Sequence, residues 1–151
     1  MKKSLETIGW REWVALPDLG IPTLKAKIDT GARTSALHAF ELDVFEKDDS
    51  EWVRFSVHPV QFSTDEVITC EAPVLDRRSV TDSGGHTEER IVIETPLHIG
   101  DAVFNAEFTL TARDNMRFRM LMGRTALKGR YLVDSEKSFR FGGSDKSAPA
   151  G

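Results

Sequence analysis

A carboxylate that is to activate water against an amide carbonyl must stand at the end of a rigid element, on a turn open to substrate. Residues Ile28-Asp29-Thr30-Gly31-Ala32 offer that arrangement. The preceding Leu24-Lys25-Ala26-Lys27-Ile28 alternates apolar and charged residues as a half-buried strand does, and the Thr-Gly that follows the aspartate is turn chemistry. Far downstream, Met120-Leu121-Met122-Gly123-Arg124 supplies a second apolar strand that ends in Gly-Arg. Amide hydrolysis by carboxylates needs two of them sharing one proton, one to deprotonate water and one to protonate the carbonyl oxygen. The chain holds one Asp-Thr-Gly, so the second carboxylate is expected from Asp29 of another copy across a two-fold axis. Asp29, Thr30 and Gly31 then form the catalytic turn. Thr30 fixes it through its hydroxyl, Gly31 allows close backbone approach, and Ala32 leaves room for substrate. The plainer alternative is a turn aspartate that only accepts backbone hydrogen bonds.

The elements that must position these residues read as strands. Ile8 to Leu16 and Leu24 to Ile28 flank the turn Pro17-Asp18-Leu19-Gly20, which sets a hairpin just ahead of Asp29. Ala36 to Glu46, Trp52 to Val60 and Val67 to Leu75 are rich in Val, Phe and Ile, with Lys47-Asp48-Asp49-Ser50 as a polar breaker. A long hairpin follows, from Asp76-Arg77-Arg78-Ser79-Val80-Thr81 through the tip Asp82-Ser83-Gly84-Gly85-His86 to the return Arg90-Ile91-Val92-Ile93-Glu94. A Gly-Gly tip suits a flap that excludes water and still opens, so Ser83, Gly84 and Gly85 are candidate substrate-covering residues. Another hairpin turns at Gly100-Asp101 and runs to Thr111, and Asp114 to Arg117 forms a polar loop. Thr125 to Gly129 fits one or two helical turns stopped by glycine, with closing strands over Tyr131 to Asp134 and Ser138 to Phe141. The expected organisation is a short N-terminal extension over 1–7, one mainly β domain over 8–141 and a disordered tail over 142–151.

At 151 residues with 40% apolar side chains the chain has material for one ordinary core and none for a second catalytic domain. A net charge of -4 and a pI near 5.6 argue against a general nucleic-acid binder, which would carry a basic stripe. A lone cysteine, Cys70, forms no intrachain disulfide and reads as a structural thiol in a reducing compartment. With neither a signal-peptide-like start nor an 18-residue apolar run, the expectation is a cytoplasmic protein that does not engage membranes.

The stretches IGWREWVALPDLGI (8 to 21), KAKIDTGARTSALHA (25 to 39), DRRSVTDSGG (76 to 85) and MLMGRTALKGRYLVD (120 to 134) together resemble the retropepsin-like proteins known as RimK-associated or ATP-dependent zinc proteases. The resemblance runs from Ile8 to about Phe141. It implies a closed, retropepsin-like acid-protease β-barrel with one short C-terminal helix and one lobe per chain. It also implies a homodimer with Asp29 catalytic, and a link to ATP-grasp enzymes that append glutamate tails to a ribosomal protein, tails that such peptidases would trim. Leu121, Met122, Gly123 and Arg124 would then be structural neighbours of the site.

One departure bears on specificity. Retroviral enzymes commonly carry an aspartate after Asp-Thr-Gly-Ala that pairs with the arginine of the downstream Gly-Arg; this chain has Arg33 there. Arg124 needs another partner, and two arginines near one dyad call for anions, which a glutamate-rich substrate would supply. Arg33 and Arg78 are the first candidates for such binding beside Ala32, whereas Arg77, Arg90, Arg113 and Arg117 read individually as solvated or ion-paired strand charges. The ATP and zinc of the family label find no support in these residues. There is no GxxxxGK[ST] loop, and His38, His58, His86 and His98 are dispersed without an HExxH. No cofactor and no metal ligand is expected. Two other functions fit the sequence: a non-catalytic dimeric module gripping acidic peptides, and a zinc-dependent protease.

Overall fold

The computed structural model describes residues 5–61, 63–81, 84–112 and 118–142. Among these residues twelve strands and one short α-helix follow in order: β1 (Glu6–Ile8), β2 (Arg11–Leu16), β3 (Ile21–Ile28), β4 (Ser35–His38), β5 (Phe40–Lys47), β6 (Ser50–Val57), β7 (Ile68–Pro73), β8 (Asp76–Thr81), β9 (Thr87–Ile99), β10 (Ala102–Thr111), β11 (Met120–Met122), α1 (Arg124–Leu127) and β12 (Tyr131–Val133), with a 3-10 turn over Pro17–Leu19 between β2 and β3. β2 shows the period of two that the sequence predicts, with Glu12, Val14 and Leu16 buried and Arg11, Trp13 and Ala15 half-buried.

The main sheet has the order β10-β4-β11-β3-β2-β9-β8, and β10 pairs with β9 as well. That extra pairing closes six strands into a barrel and leaves β8 hanging from β9 as the outer arm of a hairpin. Closure removes the sheet edges and gives one interior, filled by Leu16, Leu24, Leu37, Ile93, Phe108 and Met120, all essentially inaccessible. The fold is therefore the mainly β, closed barrel that the resemblance implies. Two smaller sheets flank it, the meander β5-β6-β7 and a parallel pair of β1 with β12. No helix among the described residues is long and apolar enough to cross a membrane.

Beyond shifts of a few residues at strand ends, three stretches depart from the sequence reading. The stretch Ile8 to Leu16 divides into β1 and β2, because the Gly9 N–H turns to the Glu12 carboxylate at 2.7 Å instead of joining a ladder. Ala36 to Glu46 divides at Ala39, whose N–H donates to Thr111 O at 2.9 Å; β4 stays in the barrel while β5 leaves for the meander. Ser138 to Phe141 is no strand. It forms one isolated β-bridge to β2, Arg11 with Ser138, without a continuing ladder, and Phe139 takes a left-handed φ of 53°. The hairpin turn at Asp48-Asp49 is as expected, both residues lying at φ values (52° and 62°) typical of a tight hairpin turn. The tip residues Asp82 and Ser83, the loop 113–117 and the tail 143–151 lie outside the described residues.

Candidate functional site

β3 delivers Asp29 to the point where two chain segments cross. β11 runs parallel to β3 in the register Ile28 with Met122, and the Asp29 N–H donates to Met122 O at 2.9 Å. Beyond Met122 the chain returns past the Asp29 turn. Arg124 N–H donates to Ala32 O (2.8 Å) and Thr125 N–H to Arg33 O (3.0 Å). Within the turn, Gly31 N–H donates to Asp29 Oδ1 at 3.0 Å and Ala32 N–H to Asp29 O at 3.2 Å. One carboxylate oxygen is thus oriented by the backbone, and the other has no hydrogen bond from a described residue.

Gly123 is fixed here by space. A Cβ at this position would stand 2.7 Å from the carbonyl carbon of Thr34 and 2.8 Å from its oxygen, so only glycine lets the segments meet. Its N–H donates to Ser35 Oγ at 3.0 Å, and Ser35 is fully buried. The sequence leaves the role of Ser35 undecided; the available signal is a small hydroxyl residue just ahead of the apolar Ala36-Leu37. Arg124, left without an acidic partner by the departure at Arg33, donates from Nη1 to the carbonyl oxygen of Thr30 at 3.0 Å. The arginine thereby braces the turn that carries Asp29.

The hairpin of β8 and β9 stands over this turn. Between them lies a groove of about 480 Å³, walled by Gly31, Ala32, Arg33 and Thr34 on one side and by Arg78, Ser79, Val80, Thr81 and Arg90 on the other. Arg33 and Arg78 therefore face one space, as the sequence suggests, but in different states. Arg78 is already engaged by Glu107 at 2.8 Å and Asp76 at 3.0 Å, which hold its guanidinium well above the usual range. Asp76 is held below the usual carboxylate range by the Arg77 N–H first and Arg78 second. Arg33 is exposed and makes no ion pair with any described residue. Arg77 pairs with Glu51 (2.9 Å) and Glu89 (3.6 Å), an ordinary surface arrangement. Gly84 and Gly85 sit exposed near the hairpin tip, Gly85 at φ 84°, while Ser83, Arg113 and Arg117 lie outside the described residues.

A second hollow, of about 450 Å³, opens on the other flank of the turn between Thr30, Arg124, Leu127, Tyr131 and Val133. It adjoins the parallel pair β1 and β12, where Leu5, Leu132 and Val133 are exposed. Cys70, by contrast, is a buried thiol whose S–H meets Leu19 O at 3.2 Å; burial pushes it up to about 12. Among the described residues no three His, Cys, Asp or Glu side chains converge as metal ligands. His38, His58, His86 and His98 are spread over β4, the segment after β6, the hairpin tip and β9, so the described residues do not fit a zinc centre.

A closed barrel with an Asp-Thr-Gly turn braced by a crossing apolar-Gly-Arg strand defines the class of retropepsin-like aspartic endopeptidases. The family model described as "RimB-like: Retropepsin-like aspartic endopeptidase RimB" matches residues 7–141, and the chain belongs to that family. Curated relatives include proteins called "Probable alpha-L-glutamate ligase" from Desulfotalea psychrophila, 46% identical over 127 residues, and from Parasynechococcus marenigrum, 47% identical over 135 residues. These matches cover 84% and 89% of this chain but 27% and 29% of the relatives, so the chain spans less than a third of their length. Among solved structures, a Legionella pneumophila protein of unknown function superposes with a TM-score of 0.77 at 27% identity, covering 91% of this chain and 99% of that one.

Proposed function

We propose that the chain is an aspartic peptidase that works as a homodimer and hydrolyses peptide bonds in glutamate-rich chain ends, trimming tails of the kind a glutamate ligase builds. The observation that carries the reading is the backbone-braced Asp29 turn, whose next residues, Gly31 to Thr34, wall a groove under a hairpin. In the dimer the two Asp29 carboxylates share one proton. The ionised one takes a proton from water as the water oxygen attacks the carbonyl carbon, and the protonated one gives its proton to the carbonyl oxygen. Collapse of the tetrahedral species breaks the C–N bond, and the amine leaves with a proton returned by the dyad. The apolar hollow beside Thr30 and the exposed Leu5, Leu132 and Val133 support a second copy seated against this flank. The relatives support the substrate: a segment like this chain there forms part of longer proteins called probable alpha-L-glutamate ligases. By the same reasoning this chain works alongside an ATP-grasp ligase in a cytoplasmic setting.

The test is mass spectrometry of a peptide ending in several glutamates after incubation with the wild-type protein and with Asp29→Asn, both in excess chelator. Stepwise loss of glutamate with wild type alone is the expected result, with a rate loss of about a thousandfold or more in the variant. A peptide left intact yet bound by both proteins, with and without chelator, would overturn catalysis in favour of a module that grips acidic chains, and cleavage seen only when chelator is left out would point to a metal.

A further inference from the structure

We propose that Arg33 and Arg90 together form the recognition site for one acidic side chain of the bound peptide, and that Arg78 shapes the groove instead of gripping the ligand. The inference rests on the peptidase reading only in taking the occupant to be a peptide.

Arg78 and Arg90 are directly opposite in the register of β8 and β9, so their side chains share one face of the hairpin, the face turned to the groove. Two guanidinium groups so placed repel unless anions answer them. Arg78 is answered twice, by Glu107 and Asp76. Arg90 is not answered to the same degree. Among the described residues its one ion-pair partner is Glu88, at 3.5 Å from Nε and itself half exposed, while the Arg90 side chain is 10% exposed and its buried Nε has no hydrogen-bond partner. A guanidinium nine-tenths withdrawn from water with an idle donor is costly, because buried donors lose hydration without replacement. Arg33 lies across the same groove, next to Ala32 of the Asp29 turn, and forms no ion pair with any described residue. Two planar forks, one buried and rigid and one exposed and adaptable, suit a group with two coplanar oxygens. A side-chain carboxylate is that group; its amide isostere is not. In the sequence Arg90 reads as an ordinary strand charge, and its burial is what sets it apart.

The experiment uses full-length protein and two peptides that differ by one glutamate changed to glutamine. In the Asp29→Asn background, fluorescence anisotropy is expected to show the glutamate peptide bound about tenfold or more tightly than its glutamine twin, as for loss of a charge-assisted hydrogen bond. Adding Arg33→Gln or Arg90→Gln brings that preference towards one, chiefly by weakening the glutamate peptide, and Arg90→Lys retains part of it. Arg33→Gln keeps the test valid should the buried position not tolerate glutamine, since Arg33 is exposed. Equal binding of the two peptides overturns the site, as does a preference that survives both glutamine variants. Wild type that cleaves both peptides at equal kcat/KM sinks the site and leaves the peptidase standing. Selective binding that depends on the two arginines, with no cleavage by wild type, upholds the site while the peptidase reading falls.

Discussion

The crossing at Asp29 and the meander β5-β6-β7 are built from the same polymer by opposite means. At the crossing, position is fixed by groups with little or no rotational freedom: the Asp29, Arg124 and Thr125 N–H groups meet carbonyls of the opposing segment, and Gly123 leans on buried Ser35. The meander buries Val53, Phe55 and Cys70 on one face but dresses the other with long side chains. Arg54 and Lys47 reach Glu71 at 2.9 and 3.9 Å, Lys47 lies 4.4 Å from the Trp52 ring centre, and Arg54 lies 5.1 Å from that of Phe45. Such flexible contacts lose rotamer entropy and are screened, so each contributes little. Precision at the Asp29 turn comes from backbone and close contact, and solvation of an outlying sheet comes from its charged fringe.

The contrast is breakable at its strong end. Gly123→Ala forces a methyl group against Thr34 backbone that has nowhere to go; we expect about 3 kcal/mol lost in urea unfolding, with any peptide hydrolysis lost alongside. Ser35→Ala leaves the buried Gly123 N–H without its acceptor, and about 2 kcal/mol should vanish from the same measurement. Unchanged stability in Ser35→Ala would show that the crossing does not depend on that hydroxyl.

Cys70 tests the inner face of the meander. Its folded pKa of about 12 lies above the ordinary 9.0, so the folded state keeps a proton that the unfolded state releases. Stability from this group is complete below about pH 9 and falls as pH rises from there towards 12. Thermal melts should therefore drop across that window in wild type and drop less in Cys70→Ala. A thiol reagent at pH 8 should likewise label Cys70 only after denaturant is added. The smallest effect is expected at the charged fringe. Arg54→Ala removes a pair with both partners well exposed and should shift stability by under about 1 kcal/mol, less still in high salt. A larger loss there would erase the distinction between the two regions.

How much of this was visible beforehand follows the same division. The Asp29 turn and the second apolar strand announce themselves because local chemistry dictates them, an alternating strand followed by Asp-Thr-Gly and an apolar run ending in Gly-Arg. The same holds for the Asp48-Asp49 turn. The switch of sheets at Ala39 was not visible, because ALHAFELDVFE reads as one continuous apolar-rich run while the chain changes partners, and a sequence pattern reports faces without reporting neighbours. Ser35 and the unequal states of Arg78 and Arg90 depend on residues far away in sequence, Gly123 and Glu107 among them. Phe139 looked strand-like from its composition, yet it stacks on Trp13 with ring centres 5.3 Å apart while its backbone lies at a left-handed φ of 53°.

The pairing of the first strand with the last sets a condition on how the molecule is made. β1 lies parallel to β12, and the Arg11 guanidinium donates to Ser138 Oγ, a residue 127 positions away in sequence. Neither contact can form until nearly the whole domain has left the ribosome. The early segments must wait with their apolar faces exposed, and closing so long a loop is entropically slow. Chaperone demand during synthesis, more than stability once folded, is therefore where substitutions in β12 should first be felt.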